Sequence, residues 1–208
     1  MIAWDSSQYR RRMHEADPPA DRPGLQGARR VLLYGVTGSG KSTAAARLAA
    51  QTGLPWTSVD DLTWEPGWVP VSQEEQRRRI EEVCARESWV LDTAYGAWLE
   101  VPLARAELIV ALDYPRWFSL QRLVRRTLVR AIDKRPICNG NTETWREMLS
   151  TDSIIAWHFR SFRRKHGRIA DLCAGAAADP SAPRVLRFTR AGELDAWLDS
   201  LTGAEQPR

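Results

Sequence analysis

The chain has 208 residues, 43% hydrophobic and 27% charged, an ordinary balance for a globular protein with room for one substantial core. No apolar run approaches the roughly 20 residues that cross a bilayer, and Met1 to Arg12 carry charge without the apolar stretch of a secretory signal, so a cytoplasmic protein with no membrane partner is expected. The formal net charge of +4 rests on arginine, with only three lysines in the chain, and suits a nucleic acid or a small polyanion depending on where the arginines gather.

Residues 1–28 include Asp17-Pro18-Pro19-Ala20-Asp21-Arg22-Pro23-Gly24, too rich in proline and charge to pack. They are expected to be a flexible leader, or an over-extended start of translation. A globular domain over 29–203 follows. Its first strand runs from about Val31 to Tyr34, and a helix from Lys41 to about Thr52 stops at Gly53. A short strand ends at Val59, ahead of Asp60 and Asp61, and a loop then carries Trp64 and Trp68 around Pro66-Gly67. Ser72-Gln73-Glu74-Glu75 is a capping box for a surface helix reaching about Arg86. Ser88 to Asp92 is a third strand ending in an acid. Glu107 to Asp113 is the clearest strand, a continuous apolar run suited to a parallel strand covered on both faces.

Pro115 then opens a helix over about 116–132. Trp117, Leu120, Val124, Leu128 and Ala131 form a stripe at helical spacing, with Arg122, Arg125, Arg126 and Arg130 spread over the opposite face. Segment 133–150 is polar and turn-rich, with a second capping box at Thr144 to Glu147. A basic helix with Arg160, Arg163, Arg164 and Lys165 follows. A last strand at Val185 to Phe188 and a helix from Ala191 to Leu201, with Leu194, Trp197, Leu198 and Leu201 inward, close the chain. Cys84, Cys138 and Cys173 lack metal-ligand spacing and read as structural thiols.

The stretch between the first strand and helix, Gly35-Val36-Thr37-Gly38-Ser39-Gly40-Lys41-Ser42-Thr43, has the form G-x-x-x-x-G-K-S. In this strand–loop–helix context it is a P-loop. Its glycines free the backbone so that successive N–H groups, with those at the helix start, can face phosphate oxygens. Lys41 supplies a mobile charge for the β- and γ-phosphates, and the Ser42 hydroxyl stands where a Mg²⁺ ligand is needed. Residues Gly35, Thr37, Gly38, Ser39, Gly40, Lys41, Ser42 and Thr43 are thus the expected cradle for ATP.

Strands alternating with helices imply an α/β protein with a parallel sheet covered on both faces. Ligands then bind at the carboxyl ends of the strands, which puts Asp60, Asp92 and Asp113 beside the P-loop. Asp92 is the expected Mg²⁺ acid; Asp113 is its rival, with a helix cap before Pro115 as the plainer role. Asp60 or Asp61 stands where an acceptor would dock, and Asp60 could orient or deprotonate its hydroxyl. Trp64 and Trp68 could stack on an acceptor ring, with packing of their loop against a helix as the commoner role. The two arginine helices and the segment between them form an expected lid over about 122–165, with Arg122 and Arg126 one turn apart and Arg160 and Arg163 approaching from the second helix.

These residues resemble the adenylate-kinase-like P-loop kinases, and more closely a small bacterial group often labelled topology-modulation protein. The resemblance spans about 30–200. It rests on the P-loop, on Asp60-Asp61-Leu62-Thr63-Trp64-Glu65-Pro66-Gly67-Trp68, on Trp89 to Tyr95, on Leu112-Asp113-Tyr114-Pro115-Arg116-Trp117 and on the lid arginines. It implies a three-layer P-loop NTPase fold, a five-stranded parallel sheet with a small helical lid. It also implies ATP on the P-loop, Arg122 and Arg126 as lid-hinge arginines, and Tyr95 beside the acceptor. The third strand here ends Asp92-Thr93-Ala94-Tyr95 where the group reads Asp-Gly-Asn-Tyr, so Asp92 and Tyr95 carry over and the turn does not. The arginine that follows the second strand in true adenylate kinases has no counterpart.

The function expected from the sequence is a Mg²⁺-ATP phosphotransferase acting on a small-molecule acceptor, with nucleotides and nucleosides among the candidates. The alternatives are an ATP-dependent DNA-associated regulator, for which the arginine helices would track a phosphate backbone, and an NTPase that needs no acceptor.

Overall fold

The computed structural model describes residues 24–93, 96–133 and 154–202. Tyr95, most of the expected leader, and the part of the expected lid over 134–153 lie outside the described residues.

Five parallel strands form the sheet: β1 (Arg30–Gly35), β2 (Trp56–Ser58), β5 (Trp89–Thr93), β6 (Leu108–Leu112) and β7 (Arg184–Phe188), in spatial order β2-β5-β1-β6-β7. A separate two-stranded hairpin joins β3 (Trp64–Glu65) to β4 (Val69–Pro70). The helices are α1 (Lys41–Thr52), α2 (Val59–Thr63), α3 (Gln73–Cys84), α4 (Glu100–Leu103), α5 (Arg116–Asp133), α6 (Ile154–Ala178) and α7 (Ala191–Thr202). This is the α/β architecture of a P-loop NTPase, with the P-loop strand central in the sheet.

Strand alternation makes the two covering layers. Val31 and Leu33 of β1 face one side, with Val90, Val110 and Leu112, against Ala44, Ala45 and Leu48 of α1 and Leu194, Leu198 and Leu201 of α7. Leu32 and Tyr34 face the other side, with Leu91 and Ile109, against Ile80 and Val83 of α3 and Ile169 of α6. Every residue of β5 and β6 is buried, as continuous apolar runs require of central parallel strands. Arg47 ties α1 to α7 through Asp195 (2.5 Å) and Asp199 (2.9 Å).

Packed chain begins earlier than the boundary expected at residue 29. Leu25 is buried in the α1–α7 cluster, and the carbonyls of Gly24 and Leu25 each accept from Arg184 at 2.9 Å. One leucine with two anchored carbonyls holds this stretch, although its neighbours are polar.

Helix α5 is turned differently from its apolar stripe. Leu120 is buried, but Trp117 is 72% exposed and Leu128 also reaches solvent. The buried side is Ser119, Leu123 and Thr127. The Ser119 hydroxyl is satisfied within the helix by the Arg116 carbonyl at 3.0 Å, and the P-loop approaches this side closely: a Cβ on Gly38 would lie 2.5 Å from the Ser119 carbonyl oxygen and 2.8 Å from Leu123 Cβ. Among the described residues, no helix is long and apolar enough to cross a membrane.

Candidate functional site

Parallel pairing sets Leu33 of β1 beside Asp92 of β5, and Ser58 of β2 on the other side of Asp92. The carboxyl ends of the three strands therefore form one ledge, and the P-loop leaves it from Gly35. Gly38 and Gly40 have φ values of +84° and +93°, the left-handed region that a side chain disfavours. Helix α1 starts from Gly40 without a side-chain cap, so its first N–H groups open towards the loop's concavity.

Inside the loop, the Val36 carbonyl accepts from the Ser39 amide (3.2 Å), the Ser39 hydroxyl (2.8 Å) and the Lys41 ammonium (2.9 Å). Ser39 is buried and spends its hydroxyl on the loop's own shape. Lys41 is buried as well, and burial pushes its ammonium down to about 8, against the opposing pull of Asp92 and Asp60, with Arg126 pushing the same way as burial. A cation so placed gains from an anion brought into the loop.

The Ser42 hydroxyl donates to the Asp92 carboxylate. Asp92 also accepts from Trp56 Nε1 and from the Val59 amide, each at 3.3 Å, which fixes the carboxylate at the ledge. Burial raises its pKa, opposed by the Ser42 hydrogen bond and by Lys41. Two hard oxygen donors thus meet at the mouth of the loop. No group of three or more His, Cys, Asp or Glu poised for a metal occurs among the described residues. The Ser42 hydroxyl and the Asp92 carboxylate are oxygen donors of the kind Mg²⁺ takes, one or two at a time, beside phosphate and water.

Asp113 does something else. It is buried and accepts from Arg187 Nε (2.9 Å) and from His166 Nδ1 (2.7 Å), with Arg187 Nη2 2.7 Å away. It joins β6, β7 and α6, so it neither competes for the ion nor caps α5. Asp60 and Asp61 lie exposed in the first turn of α2. The charge of Asp60 bears on Lys41 and on Asp92, so it stands at the site's open side. Trp64 and Trp68 meet edge to face, with centroids 5.7 Å apart, across the hairpin. Arg79 of α3 pins that hairpin through Glu65 at 2.9 Å.

Of the four arginines named from the sequence, the structure brings two to the loop. Arg122 lies over it: a Cβ on Gly40 would be 3.0 Å from the Arg122 guanidinium. Arg126, one turn on, bears electrostatically on Lys41. Arg160 and Arg163 are exposed, on the far side of α6 by its 3.6-residue period. The side of α6 turned to the site is His158, Ser161, Lys165 and Ile169, all buried. His158 donates from Nδ1 to the Thr37 carbonyl at 3.0 Å, and burial lowers its pKa, so it docks α6 on the P-loop as a neutral ring. His158 was not named from the sequence, and Lys165 was named only among the basic residues of its helix. Their signal was the spacing 158, 161, 165, 169, hidden within a run of arginines.

No protein-family model matches the chain, and no curated protein matches it. Among solved structures it is similar to a gluconokinase from Sinorhizobium meliloti 1021, at 16% identity over 83% of this chain and 88% of that one, with a TM-score of 0.47. It is also similar to a sugar kinase from Janibacter sp. HTCC2649, at 16% identity over 86% of this chain and 99% of that one, with a TM-score of 0.43. Likenesses this distant carry no argument about substrate, which has to come from the chain's own residues.

Proposed function

We propose that this chain is an ATP-dependent phosphotransferase acting on a small-molecule acceptor. The observation that carries the reading is the Ser42–Asp92 pair at the mouth of a loop holding a buried Lys41, with Arg122 across it. Phosphoryl transfer asks a protein mainly for positioning and for charge against the migrating group. The loop amides and the open end of α1 bind the polyphosphate. Lys41 leaves the Val36 carbonyl for a phosphate oxygen, exchanging a neutral acceptor for a charged one. Ser42 and Asp92 would hold Mg²⁺, which supplies a Lewis acid for the phosphate oxygens. Arg122 and Arg126 cover the phosphates from α5 and exclude water. Asp60, at the open side, is suited to orient an acceptor hydroxyl and take its proton.

Asp92→Asn keeps the shape of the site and removes its charge. Turnover is expected to fall by about a hundredfold or more, with a higher Mg²⁺ requirement in a titration. The melting temperature is not expected to drop, because burial already disfavours the carboxylate. Wild-type magnesium dependence in this variant would remove Asp92 from the role.

The reading itself is tested by ADP release with Mg²⁺-ATP over a panel of nucleoside monophosphates, nucleosides, sugar acids and small alcohols, with duplex DNA included. Stimulation by one small-molecule class is expected. Release at full rate with no acceptor would make the chain an NTPase. DNA binding with a steep salt slope, indifferent to ATP, would favour the regulator.

A further inference from the structure

We propose that Lys165 is a second phosphate-binding lysine, contacting the γ-phosphoryl group from the side opposite the loop. The inference rests on the phosphotransferase reading and adds a contact to it.

Lys165 is 2% exposed, and among the described residues its ammonium has no hydrogen-bond partner. Its position follows from two neighbours on the same side of α6. Seven residues before it, His158 touches the P-loop at Thr37; four residues after it, Ile169 packs into the apolar layer on the sheet. Lys165 therefore sits at the border between the sheet core and the phosphate loop. The charges that act on it are Lys41 and Arg164, which repel it, and Asp60, which attracts it. The ring of Trp157, 5.9 Å from the ammonium, is a weak substitute for an acceptor.

A buried ammonium with no acceptor among the described residues, repelled by a second lysine, is costly for the fold. Such groups persist where a ligand completes them. Only three of the chain's 30 basic residues are lysines, and two of those three are buried at this site. Residue type matters here. An arginine would stay charged in the empty site, whereas a lysine sheds its proton with little difficulty. Burial first, and then Lys41, push Lys165 down to about 7, and an incoming phosphate oxygen would restore its charge. Asp60 bears on both lysines, and Lys41 bears on Lys165, so the two ammoniums and the acceptor-side carboxylate lie within electrostatic reach of one another. The terminal phosphoryl group, carrying the most charge and passing towards the acceptor, is the ligand that suits them.

The test compares Lys165→Met with the full-length wild type by calorimetric titration of Mg²⁺-AMP-PNP and of Mg²⁺-ADP, and by thermal melting without nucleotide. Losing one charge-assisted contact to the γ-phosphoryl group should weaken AMP-PNP binding by about tenfold or more and leave ADP within about twofold. The empty variant should melt at or above the wild-type temperature, because a desolvated charge is gone. Lys165→Gln gives the same comparison with a polar side chain, should methionine crowd the site. Unchanged affinity for both nucleotides would overturn the proposal, and a higher acceptor KM alongside would assign Lys165 to the acceptor instead. Equal losses for both nucleotides, or a clear drop in melting temperature, would assign Lys165 to the scaffold and also overturn it. Should the wild type bind neither nucleotide, the phosphotransferase reading itself fails, a result separate from these.

Discussion

Lys41→Ala is expected to lower turnover by roughly a thousandfold, about 4 kcal/mol of transition-state stabilisation, with the fold intact. The lysine faces the loop's concavity from the first turn of α1 and is buried among the groups that bear on it: Asp92, Asp60 and Arg126. Among the described residues its ammonium makes one hydrogen bond, to the Val36 carbonyl. That carbonyl keeps two other donors from Ser39 when the lysine is removed, so no buried acceptor is stranded. Sheet pairing and both apolar layers are untouched. Circular dichroism and melting should therefore match the wild type while steady-state ADP release collapses. The nucleotide should still enter, held by the loop amides, with an affinity reduced far less than the rate. A variant that turns over at the wild-type rate would remove the P-loop assignment, and every role built around it would go too.

How much of this was legible beforehand depended on which physical signal each part leaves in the chain. Strand β6 and the P-loop are written locally: an unbroken apolar run can only be buried on both faces, and glycine spacing before a lysine states its own geometry. Asp92 was legible as a strand-end acid, because parallel strands share one edge. The separate fate of Asp113 was not, since Arg187 and His166 come from elements more than fifty residues away. Helix α5 shows the limit of periodicity. Its largest apolar side chain, Trp117, is exposed, while Ser119 is fully buried. Hydrophobicity ranks those two the wrong way round because the Ser119 hydroxyl is satisfied within the helix by the Arg116 carbonyl and so can be buried. Lys165 was hidden for a related reason. A lysine among arginines reads as solvated, and only the turn of α6 fixed by His158 and Ile169 shows that it faces inward.

The close approach of the P-loop to α5 sets the second large effect. Gly38→Ala is expected to cost both stability and activity, and Gly53→Ala separates the causes. Both glycines have positive φ, +84° and +72°. A Cβ at Gly53 meets nothing within 4 Å among the described residues, so Gly53→Ala carries only the left-handed backbone penalty, about 1–2 kcal/mol. At Gly38 the same penalty is joined by overlap with the Ser119 carbonyl and Leu123. Neither is the flexible end of a side chain, and overpacking of this kind adds about 1–3 kcal/mol. The strain can be relieved by moving α5, which takes Arg122 and Arg126 off the phosphates, or by bending the loop, which turns its amides out of the concavity. Either route removes catalysis. Gly38→Ala should therefore melt lower than Gly53→Ala and lose most of its ADP release, while Gly53→Ala keeps near wild-type kinetics. If the two variants instead melted together and both turned over normally, the contact between loop and α5 would be incidental, and α5 could not be what carries the two arginines to the phosphates.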